Sequence, residues 1–214
     1  EWEWRKAVYD AALARTDASK ATLGTPELQA ALDGRTPLMI QAWATQDIRT
    51  AILLKEEIEA QGFGHPRLIL DAAAEAWREP EMLTRSGAAV VLPPFASQGR
   101  TTDGAFQAWE TAQQLESLGV LFALSGQDAY TPSQRLAYQP GYAMRGGLSF
   151  DAALKSVTIN PARMVGIDKR VGSLESGKDA DLLLWNGKPF EPSSSVIGVL
   201  IDGRLILDPR TSTK

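Results

Sequence analysis

The residues that the sequence lacks already exclude several kinds of site. The 214 residues contain no cysteine and a single histidine, His65. Without cysteine there are no disulfides, thiolate nucleophiles or cysteine-bound zinc, and both a cytoplasmic and an exported location stay open. His65 precedes Pro66 at the start of a predicted strand, roughly 20 Å from the end where that strand would meet a pocket. A Ser-His-Asp triad is therefore excluded as well.

Long apolar runs and a basic stripe are also missing. The net charge is −4, with acidic and basic residues interspersed, so the sequence predicts no nucleic-acid partner. No run approaches the eighteen or so apolar residues of a membrane span. The start, EWEWRK, has neither an initiator Met nor a signal-peptide core. We expect a soluble chain that is truncated or processed at its front.

The hydrophobic content of 44% is enough for a sizeable core. From Arg35 onward, short apolar runs alternate with amphipathic segments, a pattern typical of βα units around a parallel sheet. Strands are predicted at 38–40, 67–70, 88–92 and 120–124, with helices at 45–61, 78–85 and around 106–118, the first capped by Thr45. The strands start about 20 to 30 residues apart, close to the roughly 30 residues per unit of a (β/α)8 barrel. This spacing leaves two alternatives, a doubly wound open sheet and half of a barrel.

The two ends of the chain do not continue the alternation of strands and helices. Residues 1–34 predict two helices, the second starting at Thr25-Pro26-Glu27. After Ser149 we expect short helices at 150–157 and 160–165, the latter capped by Asn160, and then strands at 182–185, 196–201 and 204–207. Asp202-Gly203 is a strong signal for a two-residue hairpin. We therefore divide the chain into a barrel-like unit at 1–165 and a small β element at 166–214.

Several motifs resemble one known family. GLSFDAALKSVTINPARMVGIDKRVGSLESGKDADLLLWNGKPF at 147–190, followed by VLIDGRLI, resembles the C-terminal end of the metal-dependent amidohydrolase superfamily, in particular its imidazolonepropionase-like branch. PLMIQAWATQDIRTAI is similar to the family's fifth barrel strand, LILDAAAEAW to the sixth and GVLFALSGQDAY to the eighth. The resemblance covers about 180 of the 214 residues.

The resemblance implies an α/β fold that is incomplete. It would consist of the second half of a (β/α)8 TIM-type barrel, strands five to eight, and the C-terminal part of a small β-sandwich. Half a barrel exposes two sheet edges and an apolar face, which soluble proteins avoid. We therefore expect a second chain or an N-terminal segment to complete the barrel and the sandwich, and we expect an oligomer.

The family's metal ligands are altered in this sequence. Such enzymes hold metal with an HxH pair from strand one, single histidines from strands five and six, and an aspartate from strand eight that also shuttles the proton. The fifth-strand histidine falls on Gln41 and the sixth on Ala72, after Asp71. The eighth-strand aspartate falls on Gln127, or on Asp128 if the preceding turn is one residue longer. Alanine cannot ligate, and an amide oxygen is a poor partner for zinc.

We expect a pocket at these strand ends, with Asp128 as the catalytic candidate and no metal ligand assigned. Its predicted lining is Gln41, Trp43, Asp71, Glu75 and Gln127. Three of these residues have a structural alternative: Gln41 as a satisfied polar residue at a strand end, Glu75 as an acid at a helix N-terminus, and Asp128 as a cap or turn residue. Trp43 and Trp77 form either an aromatic wall or part of the core.

The predicted function is that of a degenerate amidohydrolase-fold protein, a structural or ligand-binding subunit for which this half provides no cofactor. The alternative is an active hydrolase of C–N bonds in amides or cyclic amides, with one zinc-like divalent metal held by an upstream HxH and Asp128. A doubly wound nucleotide-binding sheet is a third class, but the sequence has neither the glycine-rich first turn nor the acidic ribose partner of such sheets.

Overall fold

The computed structural model describes residues 2–95, 106–126 and 136–208. The helices are α1 (Trp2–Leu13), α2 (Thr25–Leu32), α3 (Thr45–Ala60), α4 (Pro80–Ser86), α5 (Thr111–Ser117), α6 (Gln139–Arg145), α7 (Phe150–Lys155) and α8 (Ile159–Val165). The strands are β1 (Pro37–Gln41), β2 (Arg67–Asp71), β3 (Ala89–Leu92), β4 (Phe122–Leu124), β5 (Leu182–Trp185), β6 (Val196–Ile201) and β7 (Arg204–Leu207). Within these ranges no helix has the length and apolar character needed to cross a bilayer.

The first four strands form one parallel sheet in the order β1-β2-β3-β4, which confirms the predicted parallel α/β arrangement. Side chains alternate between its two faces because successive residues of a strand point in opposite directions. On one face, Leu70, Val90 and Leu92 are buried against helical residues such as Ile48 and Leu115. This helix-covered face holds the largest part of the core.

The opposite face of the sheet is covered by α8. Ile69, Ala89 and Ala123, one residue from each of three neighbouring strands, form a buried cluster with Met164 of α8. Asn160 fixes the helix there, because its Nδ2 donates to the Phe122 carbonyl at 2.9 Å. The prediction that Asn160 caps α8 was wrong. The N-cap residue is Thr158, and Asn160 lies inside the first turn.

The covering of this second face does not reach β1, which lies at one edge of the sheet. Met39 is 49% exposed, whereas its register partner Ile69 is 2% exposed. Gln41, on the same face as Met39, is also exposed. Leu38, which points the other way, is buried. The exposed side of β1 therefore carries one large apolar side chain and one amide.

The N-cap of α3 and the start of α5 differ from the prediction. The N-cap residue of α3 is Ala44, so Thr45 is the first residue of the helix and not its cap. The helix before β4 begins only at Thr111 and does not include Phe106 or Trp109. Long-range contacts hold that segment in another conformation, since the Phe106 carbonyl accepts from Trp77 Nε1 at 2.9 Å and Trp109 stacks on Phe95, with ring centroids 5.2 Å apart.

The last three strands form a separate antiparallel sheet in the order β5-β6-β7. The predicted hairpin is confirmed, since Ile201 pairs with Arg204 and both turn residues, Asp202 and Gly203, have positive φ (49° and 73°). This is the conformation required by a type I′ turn. All four residues of β7 are exposed, including Ile206 at 63%.

Candidate functional site

Two polar side chains meet where β1 and β2 end. Gln41 and Asp71 are register partners in the parallel ladder and lie on the same face of the sheet as Met39 and Ile69. Neighbouring strands are about 4.8 Å apart, so one small ligand can contact both side chains. Gln41 is exposed and Asp71 is half-buried.

The carboxyl group of Asp71 is held at a sharp change in chain direction. Burial raises its pKa above the ordinary value, and the hydrogen bond from the backbone N–H of Ala72 opposes that rise. Ala72 has φ 55°, in the left-handed region that costs a non-glycine residue about 1 kcal/mol. Neighbouring strands fix the backbone on both sides: the Asp71 carbonyl accepts from Ala42 N at 2.8 Å, and Ala73 N donates to Val91 O at 3.0 Å. Residues in a strained backbone conformation, held there by the surrounding structure, are found most often at functional sites.

The two tryptophans near these strand ends are engaged in packing and hydrogen bonding. Trp43 is 7% exposed and forms a small buried cluster with Ala72 and Ala74. Trp77 is half-buried, and its indole N–H is donated to the Phe106 carbonyl. Ala72, which the resemblance predicts to be the position of the sixth-strand histidine, thus lies against Trp43.

Glu75 binds the start of α3. Its side chain is buried, and Oε2 accepts from the backbone N of Thr45 at 3.0 Å and from Thr45 Oγ1 at 2.5 Å. Arg78 Nε lies 3.7 Å from the same oxygen. A carboxylate at this position stabilises the helix through its unpaired N–H groups and its dipole. The carboxylate therefore acts at a helix N-terminus, the alternative predicted beside its pocket-lining role.

The remaining predicted residues lie elsewhere or beyond the described ranges. Gln127 and Asp128 lie outside the described residues. Before them, Ser125 N donates to the Leu92 carbonyl at 3.0 Å, which places the end of β4 beside the end of β3. His65 lies before the start of β2, with its side chain 88% exposed and 3.6 Å from Glu59. It is therefore remote from the strand ends.

A cleft runs along the free side of β1, between α1 and α3, and could not be predicted from the sequence. Its volume is about 360 Å³, and its lining includes Arg5, Met39, Gln41, Asp47, Thr50 and Leu54. Arg5 is held there by Glu57, because its Nη1 donates to the Glu57 Oε2 at 2.6 Å. The mixed apolar and polar lining suits either a small ligand or an added polypeptide segment. Gln41 thus faces a real cavity, but one to which the N-terminal helix contributes.

The described residues do not fit a zinc-type centre on their own. Protein zinc sites use three or four ligands drawn from histidine, cysteine and carboxylates. No group of three such side chains close enough to hold a metal occurs within residues 2–95, 106–126 and 136–208. At the strand ends, Asp71 provides one carboxylate and Gln41 one neutral amide. No chemical step through a metal follows from these two groups.

Comparison with known proteins identifies the family of this chain. The model of the amidohydrolase family matches residues 76–206, more than half of the chain. The chain belongs to the amidohydrolase family. It is 26% identical over 186 residues to amidohydrolase tasK of Hapsidospora irregularis, covering 85% of this chain and 18% of that protein. It is also 51% identical over 61 residues to the imidazolonepropionase of Syntrophobacter fumaroxidans, covering 28% of this chain and 14% of that protein.

Two solved structures have the fold of this chain over about half of their own length. An amidohydrolase from Thermotoga maritima superposes with a TM-score of 0.80 at 28% identity, covering 95% of this chain and 54% of that chain. An adenosine deaminase from Xanthomonas campestris, with bound zinc, superposes with a TM-score of 0.62 at 18% identity, which shows the fold alone. This amidohydrolase chain therefore spans about half the length of its structural relatives and less than a fifth of the two curated relatives.

Proposed function

We propose that this chain is the second half of a (β/α)8 barrel, strands five to eight, joined to the C-terminal part of a β-sandwich. In this proposal residues 1–165 belong to the barrel and residues 166–214 to the sandwich. The four-stranded parallel sheet, the separate antiparallel sheet and the 54% coverage of the Thermotoga maritima amidohydrolase support it. The chain then works as part of a larger assembly.

Uncovered apolar surfaces support completion by further polypeptide. Met39 on the edge strand β1 is 49% exposed, beside a cleft of about 360 Å³. In the antiparallel sheet, Leu183 is 57% exposed and Ile206 63% exposed. An N-terminal segment of a longer protein, or a second chain, would pair with β1 and cover the β5-β6-β7 sheet. Either arrangement removes a sheet edge that otherwise favours aggregation.

Within that assembly we assign this half a ligand-binding and structural role without the family's histidine ligands. The observation that carries the assignment is the pair Gln41 and Asp71 at the strand ends, with Ala72 at the sixth-strand histidine position. A glutamine amide both donates and accepts hydrogen bonds, and a carboxyl group accepts or, when protonated, donates. Together they are complementary to an amide or cyclic amide group, which presents an N–H and a C=O side by side.

One observation favours the alternative, an active metal-dependent hydrolase of C–N bonds. Asp71 places a carboxylate at a strand end, beside the position of the fifth-strand histidine. In that alternative one zinc-like divalent ion would be held by an upstream HxH and Asp128, and we add Asp71 as a further ligand because of its place at the neighbouring strand end.

Metal content separates the two functions. The sample is the complete assembly, this chain together with the part that completes its barrel, measured by elemental analysis after extensive dialysis. Our proposal expects less than about one metal ion per ten chains. Near-stoichiometric zinc, iron or manganese that is lost in both Asp71→Asn and Asp128→Ala would overturn it and favour the hydrolase.

Ligand binding is tested on the same assembly with hydantoin, a cyclic amide, as the probe. Saturable binding that falls at least tenfold in Gln41→Ala and Asp71→Ala supports the amide-binding role. Gln61→Ala is the matched control, because it removes an exposed glutamine beyond the end of α3. Equal binding in all four proteins would contradict the role of the pair.

A further inference from the structure

The guanidinium of Arg78 lies close to two aromatic rings. It is the last residue of a 3₁₀ turn, Ala76–Arg78, that follows β2. Its guanidinium carbon is 4.8 Å from the centre of the Trp77 ring and 5.0 Å from the centre of the Phe106 ring. Guanidinium groups stack favourably on aromatic faces, and two such contacts fix the plane of the group.

The side chains of Trp77, Arg78 and Phe106 form a clamp that is held together by hydrogen bonds within the protein. Trp77 Nε1 donates to the Phe106 carbonyl at 2.9 Å, which joins the turn after β2 to the segment that leads into α5. The backbone N of Arg78 donates to the Glu75 carbonyl at 3.0 Å and closes the turn. The orientation of the guanidinium is therefore set before any ligand arrives, which lowers the entropy lost on binding.

Neither of the two acids near Arg78 in the sequence, Glu75 and Glu79, accepts a hydrogen bond from its guanidinium. Glu79 accepts from Arg49 Nε at 2.8 Å. Glu75 accepts both hydrogen bonds from Thr45, and its Oε2 is 3.7 Å from Arg78 Nε, within ion-pair range but too far for a hydrogen bond. Among the residues that the structure describes, no acceptor lies within hydrogen-bond distance of the Arg78 guanidinium, whose side chain is 39% exposed. An arginine carries five N–H donors, so the open edge retains unused hydrogen-bonding capacity.

We propose that the Trp77, Arg78 and Phe106 clamp is a binding site for a carboxylate attached to an apolar or aromatic body. A guanidinium edge matches the two oxygens of a carboxylate in a bidentate geometry. Phe106 is 55% exposed, so an aromatic surface is available to the rest of the ligand. This combination favours an aryl carboxylate over a small hydrophilic anion such as acetate or phosphate. The site is independent of the proposed role of Gln41 and Asp71.

The test uses benzoate as the probe, with the full chain labelled for NMR and titrated at constant ionic strength. We expect saturable shifts of the Trp77 indole and Arg78 Nε–H signals. Benzoate should bind at least fivefold more tightly than acetate or phosphate, and benzamide, which has the same ring without the charge, should bind at least tenfold more weakly. Arg78→Gln should lose at least tenfold in benzoate affinity, and Arg78→Lys should lose less than Arg78→Gln.

The matched control is Arg85→Gln, which removes the same charge from an exposed arginine of α4 paired with Glu56 at 2.9 Å. It should leave benzoate binding unchanged. Phe106→Ala keeps the charge and should reduce the preference for benzoate over acetate, which tests the clamp even if Arg78→Gln folds poorly. The proposal is overturned if benzoate does not saturate, if Arg78→Gln and Arg85→Gln bind it alike, or if benzamide binds as well as benzoate. None of these outcomes bears on metal content or hydantoin binding.

Discussion

Gln41 is the register partner of Asp71 across the β1–β2 ladder, so an amide and a carboxyl lie side by side at the ends of two neighbouring strands. Aligning the sequence with the family's motifs put the altered ligand positions at Gln41 and Ala72. The ladder shows that the side chain next to Gln41 is that of Asp71, because parallel partners share a face of the sheet. The pair at this end of the sheet is therefore polar and includes an ionisable group.

Asp71→Asn should stabilise the protein at neutral pH. Burial raises the pKa of the Asp71 carboxyl above its ordinary value of 3.8, so the folded chain binds this proton more tightly than the unfolded chain. The stabilisation from the bound proton is fully present below pH 3.8 and is lost as pH rises through the folded pKa. At pH 7 we expect a gain of no more than about 1 kcal/mol for Asp71→Asn, since partial exposure screens the charge.

Urea unfolding at pH 7 and at pH 3 measures this effect. The gain at pH 7 should shrink at pH 3, where the wild-type carboxyl is protonated in both states. Asp151→Asn is the control, because Asp151 is exposed on α7 and pairs with Lys155 at 2.5 Å. It should give no gain at pH 7. A less stable Asp71→Asn protein at pH 7 would show that Asp71 has a stabilising partner.

Local sequence signals predicted most of the elements but failed where a distant residue decides the structure. The predicted β2, 67–70, is observed as Arg67–Asp71, because a short apolar run next to a turn suffices to place a buried strand. The helix predicted to contain Phe106 and Trp109 begins instead at Thr111. An apolar pattern cannot reveal that Trp109 stacks on Phe95, which lies 14 positions earlier in the sequence.

The ends of β1 and β2 were predicted from the sequence, but the contacts made there were not. The strand ends could be located from the sequence, and with them Gln41 and Asp71. The binding of Glu75 to Thr45 could not, because the two residues are 30 positions apart and meet only when β1 and β2 pair. The contribution of Arg5 to the cleft was missed for the same reason, since α1 reaches α3 through the Glu57 side chain.

Removing the Glu75 carboxylate should destabilise the start of α3. Glu75→Ala takes away the acceptor of Thr45 N and Thr45 Oγ1 in a buried setting, so we expect a loss of about 2 kcal/mol in the free energy of unfolding. Glu75→Gln retains an acceptor oxygen and should lose about half as much. Glu56→Ala, which removes a partly exposed acid from the same helix, should change stability by less than about 0.5 kcal/mol. Equal effects of Glu75→Ala and Glu56→Ala in urea unfolding would contradict the capping role.

Gly64→Ala should be among the most damaging single-methyl substitutions. A Cβ at Gly64, where φ is 146°, would lie 2.1 Å from the Leu32 carbonyl oxygen. That oxygen cannot move freely, because it accepts from His65 N at 2.9 Å and so ties the end of α2 to the start of β2. We expect a loss of more than about 3 kcal/mol in the free energy of unfolding.

Gly62→Ala separates this steric effect from backbone strain. Gly62 also has positive φ, 69°, but no described atom lies within 4 Å of a Cβ built there. Its replacement should cost about 1 kcal/mol, the amount typical of a left-handed alanine. If thermal unfolding shows that the free energies of unfolding of the two variants agree within about 1 kcal/mol, Gly64 does not approach Leu32 as closely as described.

Gln139 should prove essential to the segment that follows β3. It is 2% exposed, and its Oε1 accepts from the backbone N of Phe95 at 3.0 Å, which fixes the residue on which Trp109 stacks. Gln139→Ala leaves that N–H buried without its acceptor and opens a cavity, so we expect a loss of about 2 to 4 kcal/mol. Gln113→Ala, on the exposed side of α5, should stay within about 0.5 kcal/mol of the wild type.

Because the hydrogen bond sets the place of Phe95, near-ultraviolet circular dichroism of the tryptophans should change in Gln139→Ala even at temperatures where the far-ultraviolet spectrum is unaltered. An unchanged near-ultraviolet spectrum would show that the stack of Phe95 and Trp109 holds without Gln139.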